Sequence, residues 1–358
     1  MPNNYKAELE EILEVAGQHG ASDIHFSVGR NPTLRIDGNL VELEKYPILT
    51  KDHAEGLIEN LLTDEQKERV IKEREIDFSY NYKDKARFRV NVFHQRGNIS
   101  AALRFFPAKI KTIKELNMPE RIENFINYSQ GLLLVVGPTG HGKTTTMAAL
   151  ADLINHNQTK HIITIEDPIE YIFEQDKSII DQREVGDDTK SFPKALRAAF
   201  RQDPDVIVVG EMRDLETIST ALTAAETGHL VMATLHTNSA AQTIDRIIDS
   251  FPAEAKNQVR TQLASTLLGV VSQRLIPQVD GGRVPAVEIM IANSAVRNLI
   301  REGKIYQIDL VLETSTDEGM ISLNRSLADL VHQGNISLEN AEIYSLNPSD
   351  LRMLLGKK

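Results

Sequence analysis

The sequence predicts two domains, an N-terminal α+β domain followed by a larger α/β domain built on a buried parallel sheet. Three observations support this fold class. The chain has 358 residues, which is long for one hydrophobic core but ordinary for two domains. Residues 20 to 105 show apolar and polar residues in alternation, as half-buried strands do. From residue 130, short continuous apolar runs alternate with helical segments, as in a sheet covered on both faces.

Two strands with a polar face are predicted near the end of the N-terminal part. In residues 86 to 93, Phe88 and Val90 lie on one face and Arg89 on the other, because side chains alternate along a strand. The strand 99 to 106 likewise places Arg104 opposite its apolar residues. Both arginines are therefore expected on the polar face of a sheet.

The domain boundaries follow from a change in composition. Pro107 ends the second strand, and the polar stretch 108–121 is typical of a linker. We expect an N-terminal domain over 1–107 and a second domain over 122–358, with a helical C-terminal region from about 292.

Composition excludes several classes of protein. The longest apolar runs are far shorter than the ~20 residues that span a bilayer, and the first residues lack the apolar core of a signal peptide, so we expect a cytoplasmic protein. The chain has no cysteine, which excludes disulfides and thiolate metal sites. A net charge of -11 disfavours a broad nucleic-acid surface.

A phosphate-binding loop follows the first apolar run. The segment GPTGHGKT, residues 137 to 144, fits the motif G-x-x-x-x-G-K-[ST] and opens the predicted helix TTMAALADLI. Backbone N–H groups would wrap the phosphates, Lys143 would bridge the β- and γ-phosphates, and the Thr144 hydroxyl would bind Mg²⁺. The residues expected to bind the nucleotide are Gly137, Pro138, Thr139, Gly140, His141, Gly142, Lys143, Thr144 and Thr145.

Polar residues follow the other three apolar runs, where ligands of open α/β sheets bind. DVIVVGE, residues 205 to 211, is typical of a Walker B strand. Its Glu211 would bind Mg²⁺ together with Thr144, in part through water. Asp205, at the start of this segment, is expected to be a structural cap. Three acids of EDPIE, residues 166 to 170, compete as the group that activates water, and the pattern does not choose among them. His229 and His236 flank the last run, and a metal site there would need further ligands.

Several longer segments then identify a family. EDPIEY, GEMRDLETISTALTAAETGHL, TLHTNSA and AVRNLIREG, together with the Walker A loop, resemble the PilT family, the type IV pilus retraction branch of the secretion (GspE/PilT) ATPase superfamily. The resemblance extends from GASDIHFSVGRNP over nearly the whole chain. It implies a RecA-like P-loop core, a PAS-like N-terminal domain, and Mg²⁺-dependent ATP hydrolysis by a homohexamer that drives pilus retraction and twitching motility.

The resemblance also implies site roles and partners. Glu170 matches the general base, Glu211 the Walker B acid, and His229 and His236 the His box, while Arg89 and Arg104 match arginines that the N-terminal domain supplies to ATP. The implied partners are an inner-membrane pilus platform protein and a paralogous retraction ATPase, with the motor peripheral to the cytoplasmic face of that membrane. His141 stands where the family usually has serine.

Alternative functions remain open at this point. A pilus-assembly or type II secretion ATPase has a similar core but typically adds a four-cysteine zinc module, so the absence of cysteine and the segment AVRNLIREG favour retraction. The accessory retraction paralogue shares the core. A RecA-like nucleic-acid translocase would need a basic channel, and a non-hydrolysing scaffold would lack a residue such as Lys143, Glu170 or Glu211, all of which are present.

Overall fold

A computed structural model describes residues 4–36, 38–83 and 86–356. Internal contacts divide the chain into two units. The first consists of the residues up to 109 together with 168–172, and the second of residues 110–167 and 173–358. Within the predicted linker, Ile113 and Met118 are buried in the core of the second unit, since their apolar side chains pack with Ile122 and Leu133.

The N-terminal unit is an α+β fold, as predicted. Its six-stranded sheet has the order β3-β2-β1-β6-β5-β4, and every neighbouring pair is antiparallel. Apolar residues at alternate positions of the strands pack against the helices, with Phe26 and Phe88 fully buried. The strands are β1 Asp23–Phe26, β2 Thr33–Ile36, β3 Asn39–Glu42, β4 Glu75–Tyr82, β5 Ala86–Gln95 and β6 Asn98–Pro107, and the helices are α1 Tyr5–Gln18, α2 Lys51–Glu59 and α3 Asp64–Glu73.

The second unit contains the predicted parallel sheet. Its order is β13-β12-β7-β11-β10-β8-β9, in which the pairs from β12 to β9 are parallel and β13 runs antiparallel to β12. All four apolar runs are strands with both faces covered, which is why they lack alternation. The strands are β7 Gly131–Val136, β8 His161–Glu166, β9 Ile179–Glu184, β10 Val206–Val209, β11 Leu230–Leu235, β12 Leu267–Pro277 and β13 Arg283–Ile291.

Helices cover this sheet and form the C-terminal region. Several of them begin at side-chain caps. The side chain of Asp214, the cap expected from the sequence, accepts from Thr217 N before α6, and Asn293 caps the helix of the AVRNLIREG segment in the same way. Among helices in the described ranges, none is long and apolar enough to cross a bilayer. The helices are α4 Lys143–Asn157, α5 Phe192–Ala199, α6 Leu215–Glu226, α7 Ala240–Asp249, α8 Lys256–Thr266, α9 Ser294–Glu302, α10 Ile308–Thr314, α11 Leu323–His332, α12 Leu338–Tyr344 and α13 Pro348–Leu354.

Candidate nucleotide site

The candidate site lies at the carboxyl edge of the parallel sheet. The glycine-rich loop follows β7, Glu211 comes soon after β10, and His236 directly follows β11. Because β11 lies between β7 and β10, the fold places His236 between the loop and the acidic residue. The sheet order therefore brings together groups that are about 100 residues apart in the sequence.

Lys143 is the first residue of α4 and points back into the loop. Its ammonium donates to the carbonyl oxygens of Gly137 and Pro138, both at 3.0 Å, and the residue is only 7% exposed. Gly142 precedes the helix with φ +84°, and Thr144 and Thr145 lie in the first turn, where backbone N–H groups have no partner inside the helix. This arrangement suits an anion, because a phosphate oxygen can accept from the ammonium in place of the loop carbonyls.

His236 connects the loop to Glu211. Its Nδ1 lies 3.2 Å from Thr139 Oγ1 and 3.3 Å from the Lys143 ammonium, while its Nε2 lies 3.6 Å from a carboxylate oxygen of Glu211. An ammonium can only donate, so Nδ1 accepts and the ring proton is on Nε2, facing the carboxylate. Burial and then the charge of Lys143 lower the pKa of His236, which favours this neutral form.

Glu211 is held on both of its oxygens. One accepts from the Arg213 side chain at 2.7 Å and the other faces His236. The Glu211 carboxylate and the Thr144 hydroxyl are the hard oxygen ligands that Mg²⁺ prefers, and Mg²⁺ usually takes only one or two such groups beside phosphate and water. The residues at this edge of the sheet therefore fit a Mg²⁺-nucleotide.

The three acids of EDPIE have different surroundings. Glu166 ends β8, and its Oε1 accepts from Thr164 Oγ1 at 2.6 Å and from Gln182 Nε2 at 3.3 Å, so this carboxylate has partners within the sheet. Asp167 is exposed. Glu170 belongs to the segment 168–172, which is part of the N-terminal unit.

Two further contacts explain why this segment belongs to the N-terminal unit. Ser79 Oγ donates to Ile169 O at 3.1 Å, and the ring of Tyr171 packs edge to face on Phe106. Glu170, the general base that the family resemblance implies, therefore lies in a five-residue segment that belongs to the N-terminal unit, although the residues before and after this segment belong to the second unit.

His229 lies at the opposite edge of the sheet. It precedes β11, whose six residues span roughly 20 Å. Its Nδ1 is 3.0 Å from Ala224 O, and its ring packs on Phe200. The structure does not bring His229 to the loop of its own chain, and a catalytic role for it stays a prediction. In the described ranges no group of three or more His, Asp or Glu side chains is placed to hold a metal ion.

Asp205 lies at the same far edge as His229. Its carboxylate accepts from His161 N at 2.9 Å and from the Lys160 ammonium at 3.2 Å, which is the structural capping role expected from the sequence.

Arg89 and Arg104 lie together on the exposed face of the N-terminal sheet. They are direct cross-strand partners in the pairing of β5 with β6. Arg104 donates to Asp23 Oδ1 at 3.1 Å and Arg89 to Asp77 Oδ2 at 3.0 Å. Like charges opposite each other destabilise a sheet, and the two aspartates offset that repulsion. Arg35, which also pairs opposite Asp23, extends the row and was not predicted from the sequence.

Sequence reasoning also missed β12, which pairs with β7 beside the loop, and β13, which pairs with β12. In β12, Gln273 is 2% exposed and bonds to both His141 O and Thr146 Oγ1. In β13, the Glu288 carboxylate accepts from the backbone N–H of Ala240 at 2.6 Å and so holds the start of α7, just after His236. The one available signal was the polar triplet Ser-Gln-Arg inside the apolar run of β12.

Comparisons with known proteins identify the family of this chain and several relatives. The model of the type II/IV secretion system protein family matches residues 4–282. The type IV pilus retraction ATPase PilT of Pseudomonas aeruginosa is 48% identical over 93% of this chain and 97% of its own length. The type IV pilus ATPase PilU of the same organism is 37% identical over 97% of this chain and 91% of its own. A crystal structure of the pilus retraction motor PilT with bound ADP superimposes with a TM-score of 0.87 at 48% identity, covering 96% of this chain and 98% of that one.

Proposed function

The chain belongs to the type II/IV secretion system protein family, and on that premise we propose that it is a homohexameric ATPase motor that drives type IV pilus retraction. The observation that supports this most directly is the contact network of His236, which joins the phosphate-binding lysine to Glu211. Such a network transmits a change at the γ-phosphate to the Walker B acid, as a nucleotide-driven motor requires.

Each site residue has a role in this proposal. The loop 137–145 and Lys143 bind the phosphates of ATP, and Thr144 and Glu211 hold Mg²⁺, which when bound neutralises charge on the transferring phosphoryl group. Glu170 accepts a proton from the attacking water. The neutral ring of His236 lies between Lys143 and Glu211 and keeps the positions of these two side chains fixed relative to each other.

Arg89 and Arg104 act in this proposal from a neighbouring subunit. They form an exposed cationic pair, and a guanidinium brought to the phosphates across an interface stabilises the transition state as an arginine finger does. The aspartates that hold the two side chains set their orientation before the neighbour arrives. Turnover would then require assembly, and dispersed monomers would be inactive.

Retraction is favoured over assembly by the extent of the similarity. The Pseudomonas aeruginosa relative named as a retraction ATPase matches this chain along nearly its whole length. We propose that the motor is cytoplasmic, acts at the inner-membrane pilus platform protein, and works beside a paralogous ATPase comparable to PilU. No nucleic-acid partner is proposed, since the net charge is -11.

The decisive test is ATPase rate against protein concentration, with sedimentation of the same samples. Specific activity should rise as hexamers form, and Arg104→Ala should assemble without this rise. Equal specific activity in dispersed monomers and in rings would refute an active site shared between subunits.

A cellular test separates retraction from assembly. The chain is expressed in two Pseudomonas aeruginosa strains, one lacking its PilT and one lacking its pilus-assembly ATPase, with Lys143→Ala as the control. Restored surface spreading in the first strain supports retraction, whereas restored piliation in the second identifies an assembly ATPase.

A further inference from the structure

The phosphate-binding loop and the first turn of α4 pack against β12 through three hydrogen bonds, two to His141 in the loop and one from Thr146 in the helix. Gln273 Nε2 donates to His141 O at 2.7 Å, Thr146 Oγ1 donates to Gln273 Oε1 at 2.8 Å, and Leu275 N donates to His141 Nδ1 at 2.9 Å. The approach is so close that a Cβ on Gly137, whose φ is +146°, would lie 2.3 Å from Gln273 O. The loop conformation therefore depends on β12 as well as on its own glycines.

The bond from Leu275 fixes the tautomer of His141. A backbone N–H can only donate, so Nδ1 must be unprotonated and the ring proton must lie on Nε2. Burial lowers the pKa of His141, and so do the cations that face it, Arg274 of β12, Lys143 of α4 and Arg283 of β13. The ring is therefore neutral near pH 7, and a proton on Nδ1 would break the bond to β12.

The same ring contacts the C-terminal helices. It packs edge to face on Tyr344 at the end of α12, with ring centroids 6.3 Å apart at 64°. Arg274, between Gln273 and Leu275 in β12, donates to Tyr344 O at 3.0 Å. His141 thus contacts β12 with one ring nitrogen and the helical region with its ring edge or face. A serine at this position is too short to contact the Tyr344 ring.

We propose that His141 is a positioning residue that fixes the phosphate-binding loop against β12 and couples it to Tyr344, so that α12 controls the affinity for nucleotide. The inference rests on the proposed nucleotide binding at this loop. A movement of α12 that withdraws Tyr344 would loosen His141, and the loop would bind phosphate less tightly. The C-terminal region would then act as a regulator of the site, not only as a cover.

The test is the dissociation constant of a fluorescent ATP analogue, measured on the full chain between pH 5.5 and 9. Tyr344→Ala should weaken binding by about 2- to 10-fold, the range expected for loss of an aromatic pair, with little change in kcat. Tyr344→Phe keeps the ring and should bind as the unchanged protein does. Tyr306→Ala, at a 75% exposed tyrosine of the same region, controls for nonspecific effects.

The pH profile and a double variant make the test specific. The affinity for the ATP analogue should fall as His141 is protonated at acid pH. In His141→Ser the affinity should depend less on pH. His236 is present in both proteins, so the comparison isolates His141. The double variant His141→Ser, Tyr344→Ala should bind no more weakly than His141→Ser alone. Additive losses, or unchanged affinity in Tyr344→Ala, would overturn the proposal. Lys143→Ala tests nucleotide binding separately, because normal binding in that variant would refute the proposed function itself.

Discussion

Replacing Glu288 with glutamine should stabilise the second unit above neutral pH. Glu288 is 6% exposed and borders a cavity of about 210 Å³ together with Asp309, Glu313 and Asp350. Burial raises its pKa from 4.5 to about 7, the N–H of Ala240 opposes this, and Asp309 adds to it. The carboxylate is therefore destabilised in the folded chain and not in the unfolded chain.

The size of the effect follows from the difference in pKa. A rise from 4.5 to about 7 corresponds to about 3 kcal/mol, because each pKa unit is worth about 1.4 kcal/mol. The folded chain binds the proton more tightly, so its stability contribution is present below pH 4.5 and is lost as pH rises through 7. Glu288→Gln removes this loss, since the amide is neutral and its oxygen still accepts from Ala240 N.

Calorimetric melting at several pH values measures the effect. At pH 8 the variant should melt about 6 to 12 °C above the unchanged protein, given about 2–4 °C per kcal/mol for a unit of this size. At pH 5 the difference should shrink to about a quarter of its value at pH 8, because Glu288 is then protonated in the folded chain while most of the unfolded chain is still ionised there. Glu254→Gln, at an exposed glutamate, should change neither melting curve. Equal melting temperatures at pH 8, or a gap at pH 5 as large as the gap at pH 8, would refute a buried ionised Glu288.

The remaining predictions concern turnover. Lys143→Ala should lower ATPase activity by about 10²-fold or more, because the phosphates lose their buried ammonium, and steady-state kinetics together with nucleotide binding measure the loss. Glu170→Gln should still bind nucleotide but turn over about 10²- to 10⁴-fold more slowly, and normal turnover would reassign the base to another acid. Arg104→Ala should form hexamers in sedimentation yet lose turnover by up to about 10³-fold. Normal activity of the assembled variant would exclude Arg104 as an arginine finger.

Much of the fold could be predicted because its signals are local. The four apolar strands, the helix start at Asp214, the glycine-rich loop and the alternation around Arg89 each depend on residues close together in sequence, and each is present in the structure. Polar residues at strand ends also indicated that Glu211 and His236 lie near the loop, since parallel strands present their carboxyl ends at one edge.

Other features could not be predicted because they depend on strand order and on packing between distant segments. His229 and His236 look equivalent in sequence, seven residues apart, yet the strand between them places only His236 at the loop. Gln273 and Glu288 act through hydrogen bonds to groups more than 45 residues away, which no local pattern encodes.

By itself, then, the sequence determined the fold class, the nucleotide-binding motif and the family, because short-range chemistry and residue spacing are enough for these. Tertiary structure alone decided which acids and histidines meet, which strand supports the loop, and that His141 contacts Tyr344. The physical reason is that hydrogen bonds, burial and the resulting pKa values depend on neighbours in space, and only the folded sheet and its helices bring those neighbours together.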